Sequence, residues 1–253
     1  MSDTFVGRAA VVTGASSGIG KAIAEELGAA GAELWLVGRS QTELEATAAA
    51  IKVRGGLQAH CAAMDLAEPG ALARLIEALP HEYLFTLVNV AGVMHGEAIL
   101  GGDPKRWRAM MEVNLLAPLE GCQAAVSRMR QHRRPAHLIN VGSIAARFDA
   151  SGVYGASKVA LEMVTRTLRQ ELEADDIRVT LVVPGGFRSQ LARGLLPETA
   201  EVLGQKMAAL NVDYERMFGD PADIARLVRY ILEQPIDFNI GEVLVRPPVS
   251  LVL

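Results

Sequence analysis

The chain has 253 residues, 50% of them hydrophobic and 21% charged, with a formal net charge of −4. That composition excludes wholesale disorder, allows a large buried core, and gives no electrostatic motive for binding nucleic acid or an anionic membrane. The length suits one domain over residues 1–253, so the expected partner is a small molecule.

The segment MSDTFVGRAAVVTG lacks a basic start followed by a long apolar run, so no secretory signal is expected. The first strand reads over 9–13 and runs into a glycine-rich turn, after which a helical pattern occupies 20–30 and stops at Gly31. A strand over 33–37 and a helix over 41–54, ended by Gly55 and Gly56, follow. The alternation continues with a strand over 58–64, a helix over 71–79, a strand over 84–89, a long helix over 104–130 and a strand over 137–141. A helix over 154–174, a strand over 178–183, a helix over 221–233 opened by Pro221, and a last strand over 242–245 complete the series. Several strands are almost wholly apolar, as strands covered on both faces must be. The rhythm predicts α/β architecture: a doubly wound parallel sheet of about seven strands with helices on both faces, three layers in all. Residues 185–220 are too long for an ordinary connection and carry a helical pattern around 200–209, which predicts a lid over about 187–219.

Cys61 and Cys122 lie far apart among apolar neighbours and read as reduced, buried thiols. No stretch approaches the roughly 18 apolar residues of a membrane span, so the cytoplasm is the expected location. The five histidines have no cysteine or carboxylate partner at ligand spacing, so no metal is expected. Arg128, Arg130, His132, Arg133 and Arg134 read as a solvated helix end, where the helix dipole favours cations.

Two motifs carry chemistry. The turn Thr13-Gly14-Ala15-Ser16-Ser17-Gly18-Ile19-Gly20 follows a strand and opens a helix, an arrangement that lets backbone lie against a pyrophosphate whose charge meets the helix N-terminus. The segment Tyr154-Gly155-Ala156-Ser157-Lys158 puts a phenol and an ammonium four residues apart on one helix face. An adjacent ammonium brings a phenol toward a working acid/base pKa. The spacing Gly-x-x-x-Gly-x-Gly, followed downstream by Tyr-x-x-x-Lys, resembles the single-domain short-chain dehydrogenase/reductase family, over residues 7–246 and with its Rossmann fold.

The resemblance implies a nicotinamide cofactor held by Gly14, Ser16, Ser17, Gly18, Ile19 and Gly20. Asp65 and Leu66 would lie at the adenine, Asn89, Ala91 and Gly92 along the cofactor, and Pro184, Gly185, Phe187 and Ser189 over the carboxamide. Val90 stands where the family has a second asparagine, which predicts altered local hydrogen bonding. At the end of the second strand, Gly38 replaces the carboxylate that would bind an NAD ribose, while Arg39 offers a planar fork for a 2′-phosphate and Ser40 a hydroxyl. NADP(H) is therefore the expected cofactor. The resemblance further implies a catalytic set in which Tyr154 is the acid/base, Lys158 lowers its pKa and holds the ribose, Ser143 binds the substrate oxygen and Asn114 supports a proton relay. Ser143 lies eleven residues before Tyr154, closer than is usual in the family, so the loop between them is expected to be trimmed. The function expected is hydride transfer between the cofactor and a carbonyl or secondary alcohol of a small to medium, partly apolar substrate, in a homodimer or homotetramer. The alternative is a non-catalytic NADP(H)-binding sensor or scaffold on the same fold.

Overall fold

The computed structural model describes residues 4–80, 83–96, 98–148, 151–191, 201, 205, 208–209 and 214–249. Seven strands, β1 (Ala9–Thr13), β2 (Glu33–Gly38), β3 (His60–Ala63), β4 (Leu84–Asn89), β5 (Ala136–Val141), β6 (Ile177–Pro184) and β7 (Glu242–Val245), form one sheet in the order β3-β2-β1-β4-β5-β6-β7. Every pairing is parallel. The chain reverses its direction of travel across the sheet between β1 and β4. Such a switch point opens a crevice at the strand C-termini, where ligands of doubly wound sheets bind.

Burial follows position in the sheet. All residues of β1, β4, β5 and β6 are buried, whereas the edge strands β3 and β7 keep exposed positions. Alternate side chains of β1 feed opposite layers, as the two-residue period of a strand requires. Ala10 and Val12 join the apolar layer beneath α1 (Gly18–Ala29), α2 (Gln41–Val53) and the helix Pro221–Glu233, whereas Ala9 and Val11 join the layer beneath the helices of the other face.

Helix α1 buries Ile23, Ala24 and Leu27 at helical spacing, and it ends at Gly31, whose φ is +93°. On the opposite face lie α3 (Ala71–Glu77), α4 (Pro104–Met111), α5 (Ala117–His132) and α6 (Gly152–Glu171). A short helix α7 (Tyr214–Met217) precedes α8 (Pro221–Glu233), where Pro221 begins the helix and Asp220 accepts a hydrogen bond from Ala222 N.

The structure departs from the sequence expectations in several places. The third strand is shorter than 58–64 because it is an edge, pairing only with Trp35–Gly38 of β2. Cys61 on that edge is only half-buried, whereas Cys122 is fully buried, and both thiols are free. The long helix expected over 104–130 is interrupted by a π-helical turn at Glu112–Leu116. Helix α6 starts at Gly152, two residues ahead of the expected start. Most of the expected lid, including most of its helical pattern around 200–209, lies outside the described residues.

Of the basic cluster, Arg128 donates to the carbonyls of Glu77 and Leu79 at the end of α3, and Arg130 pairs with Asp175 at 2.8 Å. Arg133 closes α5 at φ 50°, a left-handed conformation unusual for a side chain with a Cβ. Arg133→Gly is expected to raise stability by about 0.5–1 kcal/mol, the relieved strain of roughly 1–2 kcal/mol being partly offset by glycine's freedom in the unfolded chain. A urea titration checks this, the midpoint rising with no change in slope.

Candidate functional site

The strand C-termini carry the glycine-rich turn between β1 and α1. Gly14 has φ +68°, and a Cβ there would stand 3.1 Å from Cα and N of Ala91. Gly20 lies inside α1, where a Cβ would fall 2.3 Å from the carbonyl oxygen of Gly14. The turn is thus wedged against the loop after β4 and closed on itself by backbone atoms that have nowhere to go. Thr13, buried at the tip of β1, accepts hydrogen bonds through Oγ1 from the N–H groups of Val90 and Ala91, both at 3.0 Å, and so pins the second loop to the first. Val90 itself packs against the apolar layer.

Ser40, Asp103 and Asp220 cap α2, α4 and α8 with their side chains, whereas the side chain of Ser17 makes no cap bond to α1. The leading N–H groups of α1 therefore have no side-chain cap from Ser17 at the positive end of a helix dipole, an arrangement suited to phosphate. A cavity of ≈ 370 Å³ adjoins this end and is lined in part by Ser16, Ser17, Gly18 and Ser189. Ser189 closes over the turn, with its Cβ 3.1 Å from where a Cβ on Gly18 would sit. The residues fit a dinucleotide: a turn with glycine at positions 14, 18 and 20, a helix start without a side-chain cap and adjoining space.

The other residues expected at the cofactor have distinct surroundings. Arg39 is exposed and makes no hydrogen bond or ion pair among the described residues. Asp65 is exposed and accepts from Ala67 N at 2.9 Å in a local turn, and Leu66 beside it is buried. Asn89 is committed to a brace, its Nδ2 donating to Asn140 Oδ1 at 2.9 Å and to Cys122 Sγ at 3.4 Å, so its side chain ties β4 to β5 and α5. Gly185 after β6 donates to Val245 O, and Phe187 bridges to Gly219, which joins the two ends of the segment expected as a lid.

The second cluster is built on α6. Tyr154, in its first turn, is buried, with the hydroxyl of Ser143 beside its phenol. Burial pushes the phenol pKa up and the Ser143 hydroxyl opposes that rise. Ser143 is extended at the C-terminal side of β5 and also accepts from Ala145 N at 3.2 Å, opening the 3₁₀ turn Ile144–Arg147. Lys158, one turn on from Tyr154, is buried and donates through Nζ to Val141 O at 3.0 Å. Burial pulls its pKa down to about 8.

Asn114 sits fully buried in the π turn, accepting from Val93 N at 2.8 Å and donating to Val93 O at 2.9 Å and to Ser157 Oγ at 3.0 Å. A π turn redirects carbonyls that an α-helix would consume, and an amide side chain in it holds the neighbouring strand end. Gly92 leaves the space between these groups open: a Cβ there would meet Asn114 Oδ1 at 3.3 Å and Lys158 Nζ at 3.6 Å. The structure thus brings Asn114, Ser143, Tyr154 and Lys158 together around the ends of β4 and β5.

Ser157 was missed in the sequence. Its hydroxyl accepts from Asn114 and donates to Tyr154 O at 2.7 Å, linking the π turn to α6. The only sequence signal was a small polar residue beside Lys158, which many solvated helices share. Thr13 was missed as well, because it reads as an ordinary β-branched strand residue.

Residues 8–200 match the short chain dehydrogenase family. An oxidoreductase of Staphylococcus saprophyticus subsp. saprophyticus is 34% identical over 245 residues, covering 95% of this chain and 97% of the relative. Carbonyl reductase family member 4 of Danio rerio is 30% identical over 232 residues, covering 90% and 92%. Among solved structures, a metagenomic short-chain oxidoreductase in complex with NADP superimposes with a TM-score of 0.79 at 32% identity, covering 97% of this chain and 100% of that one. The chain belongs to the short-chain dehydrogenase/reductase family and is an oxidoreductase with the Rossmann-like fold of that family.

Proposed function

We propose that this oxidoreductase uses NADP(H) to interconvert a carbonyl and a secondary alcohol on a small to medium, partly apolar substrate. The observation that carries the reading is the buried Tyr154 phenol beside Ser143, with the buried Lys158 ammonium one turn away, beside the crevice that the glycine-rich turn faces. Arg39, without a partner among the described residues and at a turn without a carboxylate, supports the phosphorylated cofactor, as does the NADP held by the metagenomic neighbour. Carbonyl chemistry is supported by the name of the Danio rerio relative.

When bound, the nicotinamide cofactor supplies or accepts the hydride. Tyr154 gives its phenolic proton to the substrate oxygen in reduction and takes it back in oxidation. Ser143 donates a hydrogen bond to that same oxygen and holds the phenol in line. Lys158 stabilises the phenolate by its charge and would hold the ribose of a bound cofactor, and Asn114, bonded to the backbone of Val93, would support a proton relay. Gly14, Gly18 and Gly20, with Ser16, Ser17 and Ile19, would hold the pyrophosphate side, Asp65 and Leu66 the adenine, and Ser189 with Pro184, Gly185 and Phe187 the carboxamide end. Val159 and Met163, exposed four residues apart on α6, support burial of that face in a homodimer or homotetramer. The free thiols fit a reducing compartment, the cytoplasm.

The test is NADPH oxidation across a panel of ketones, aldehydes and acyl-thioester carbonyls, with the alcohols run in reverse. The expected result is turnover in both directions with opposite pH dependence. Lys158 is protonated below about 8 and loses its charge above it, so kcat/KM for NADPH in reduction falls as pH rises through about 8. Oxidation needs the phenolate, whose formation burial opposes, so its rate climbs with pH. NADPH binding without turnover on any member of the panel overturns the reading.

A further inference from the structure

The 3₁₀ turn Ile144–Arg147 starts from Ser143, and none of its residues is buried, so the core does not hold it in place. Two contacts with neighbouring elements do. Ala145 O lies against Gly155 of α6, where a Cβ would stand 3.0 Å away. Arg147, the last residue of the turn, donates through Nη2 to Glu242 Oε1 at the start of β7. The backbone beside Glu242 is itself fixed, since Gly241 O accepts from Leu181 N at 3.0 Å and from Arg169 of α6.

A second carboxylate lies within the field of Arg147. Glu162 stands on α6 two turns after Tyr154 and one after Lys158; it is buried, and its Oε1 has no hydrogen-bond partner among the described residues. That oxygen is behind the strand end that carries Ser143, because a Cβ on Gly142 would meet it at 3.6 Å. Burial pushes the Glu162 carboxyl up, Arg147 of the turn opposes the rise, Glu242 of β7 adds to it and Arg166 of α6 opposes it. Arg147 thus answers two carboxylates, one from the sheet edge and one from the helix that bears the reacting phenol. Stability alone is a weak motive for the bonded pair, whose side chains are 39% and 34% exposed.

We propose that Arg147 is a positioning residue for the Ser143 hydroxyl: bonded to Glu242 and drawn toward Glu162, it ties the turn after Ser143 to β7 and α6. This rests on the carbonyl and alcohol chemistry proposed for the site. A hydroxyl that meets charge developing on the substrate oxygen acts in the transition state, so releasing the turn costs turnover more than ground-state binding.

The experiment measures steady-state kinetics on the best carbonyl of the panel, and Kd for NADPH by fluorescence titration. The proteins are the wild type, Arg147→Met, Arg147→Lys, Glu242→Gln, the double variant Arg147→Met/Glu242→Gln, and Arg166→Met. Arg147→Met is expected to lower kcat about tenfold, while KM for the carbonyl and Kd for NADPH each move less than about threefold. Arg147→Lys brings kcat back to within about threefold of the wild type, and Glu242→Gln lowers it about threefold or more. The double variant is no slower than Arg147→Met, because both substitutions remove the same tie. Arg166→Met removes a cation near Glu162 without touching the turn and keeps kcat within about twofold. Melts within about 3 °C of the wild type are expected throughout, and Arg147→Lys and Glu242→Gln carry the test if Arg147→Met does not fold. A wild type active on the panel with kcat of Arg147→Met within about twofold, a loss confined to KM, additive losses in the double variant, or an equal loss in Arg166→Met overturns the role of Arg147 alone. A wild type that turns over no member of the panel overturns the functional reading and this inference with it.

Discussion

Tyr154→Phe is expected to lower turnover by about 10³-fold or more while changing the Kd for NADPH by less than about threefold. Removal of one hydroxyl oxygen deletes the proton donor and acceptor, and positioned acid/base groups are worth about 10²–10⁴ in rate. The phenyl ring remains in a site that is already dry, since Tyr154 is 6% exposed, so the packing of α6 is retained. Ser143 loses the neighbouring phenol hydroxyl but keeps the Ala145 N–H, so the strand end that carries it stays in place. Steady-state kinetics on the best carbonyl of the panel, with NADPH binding by fluorescence titration, checks both halves. Turnover within about tenfold of the wild type would assign the proton to another group.

Gly20→Ala is expected to reduce NADPH affinity about 100-fold or more. The added Cβ would lie 2.3 Å from Gly14 O, 2.6 Å from Gly14 C and 3.0 Å from Thr13 O, all of them backbone atoms that no rotamer change can move. Overpacking of this kind costs about 1–3 kcal/mol when side chains give way, and here the turn itself has to be displaced. Its displacement misaims the N–H groups of α1 and strains the Thr13 bonds to Val90 and Ala91. Gly7→Ala is the matching control. That residue has φ +72° with nothing within 4 Å of the added Cβ, so it carries backbone strain without crowding the crevice. The control is expected to lose some stability yet bind NADPH as the wild type does. Calorimetric binding of both variants, alongside their melts, separates the two effects, and wild-type affinity in Gly20→Ala would remove the turn from the cofactor site.

Much of the architecture was legible along the chain because local physics writes it there. The mainly apolar runs of β1, β4 and β6, the stop at Gly31 and the start at Pro221 each record a backbone or burial demand met by the residue itself. The glycine-rich turn was legible for the same reason: positions that tolerate no Cβ are written as glycine. The ends of β3 were not, because pairing at an edge depends on how far the neighbouring strand reaches, and β2 offers β3 only Trp35–Gly38.

The site divides along the same line. The sequence by itself determined the order of the chemical groups, the four-residue spacing of Tyr154 and Lys158, and the missing carboxylate before Arg39, since these depend on identity and helical period alone. Only the tertiary structure decided that Asn114 occupies a π turn bonded to Val93 and Ser157, that Gly92 keeps open the space before Lys158, and that Asn89 spends its side chain on a brace. It also decided the protonation balance, burial raising the pKa of Tyr154 and drawing that of Lys158 down to about 8. Desolvation and contacts between residues far apart in the chain are properties of packed atoms, and a sequence holds the residue types without their distances.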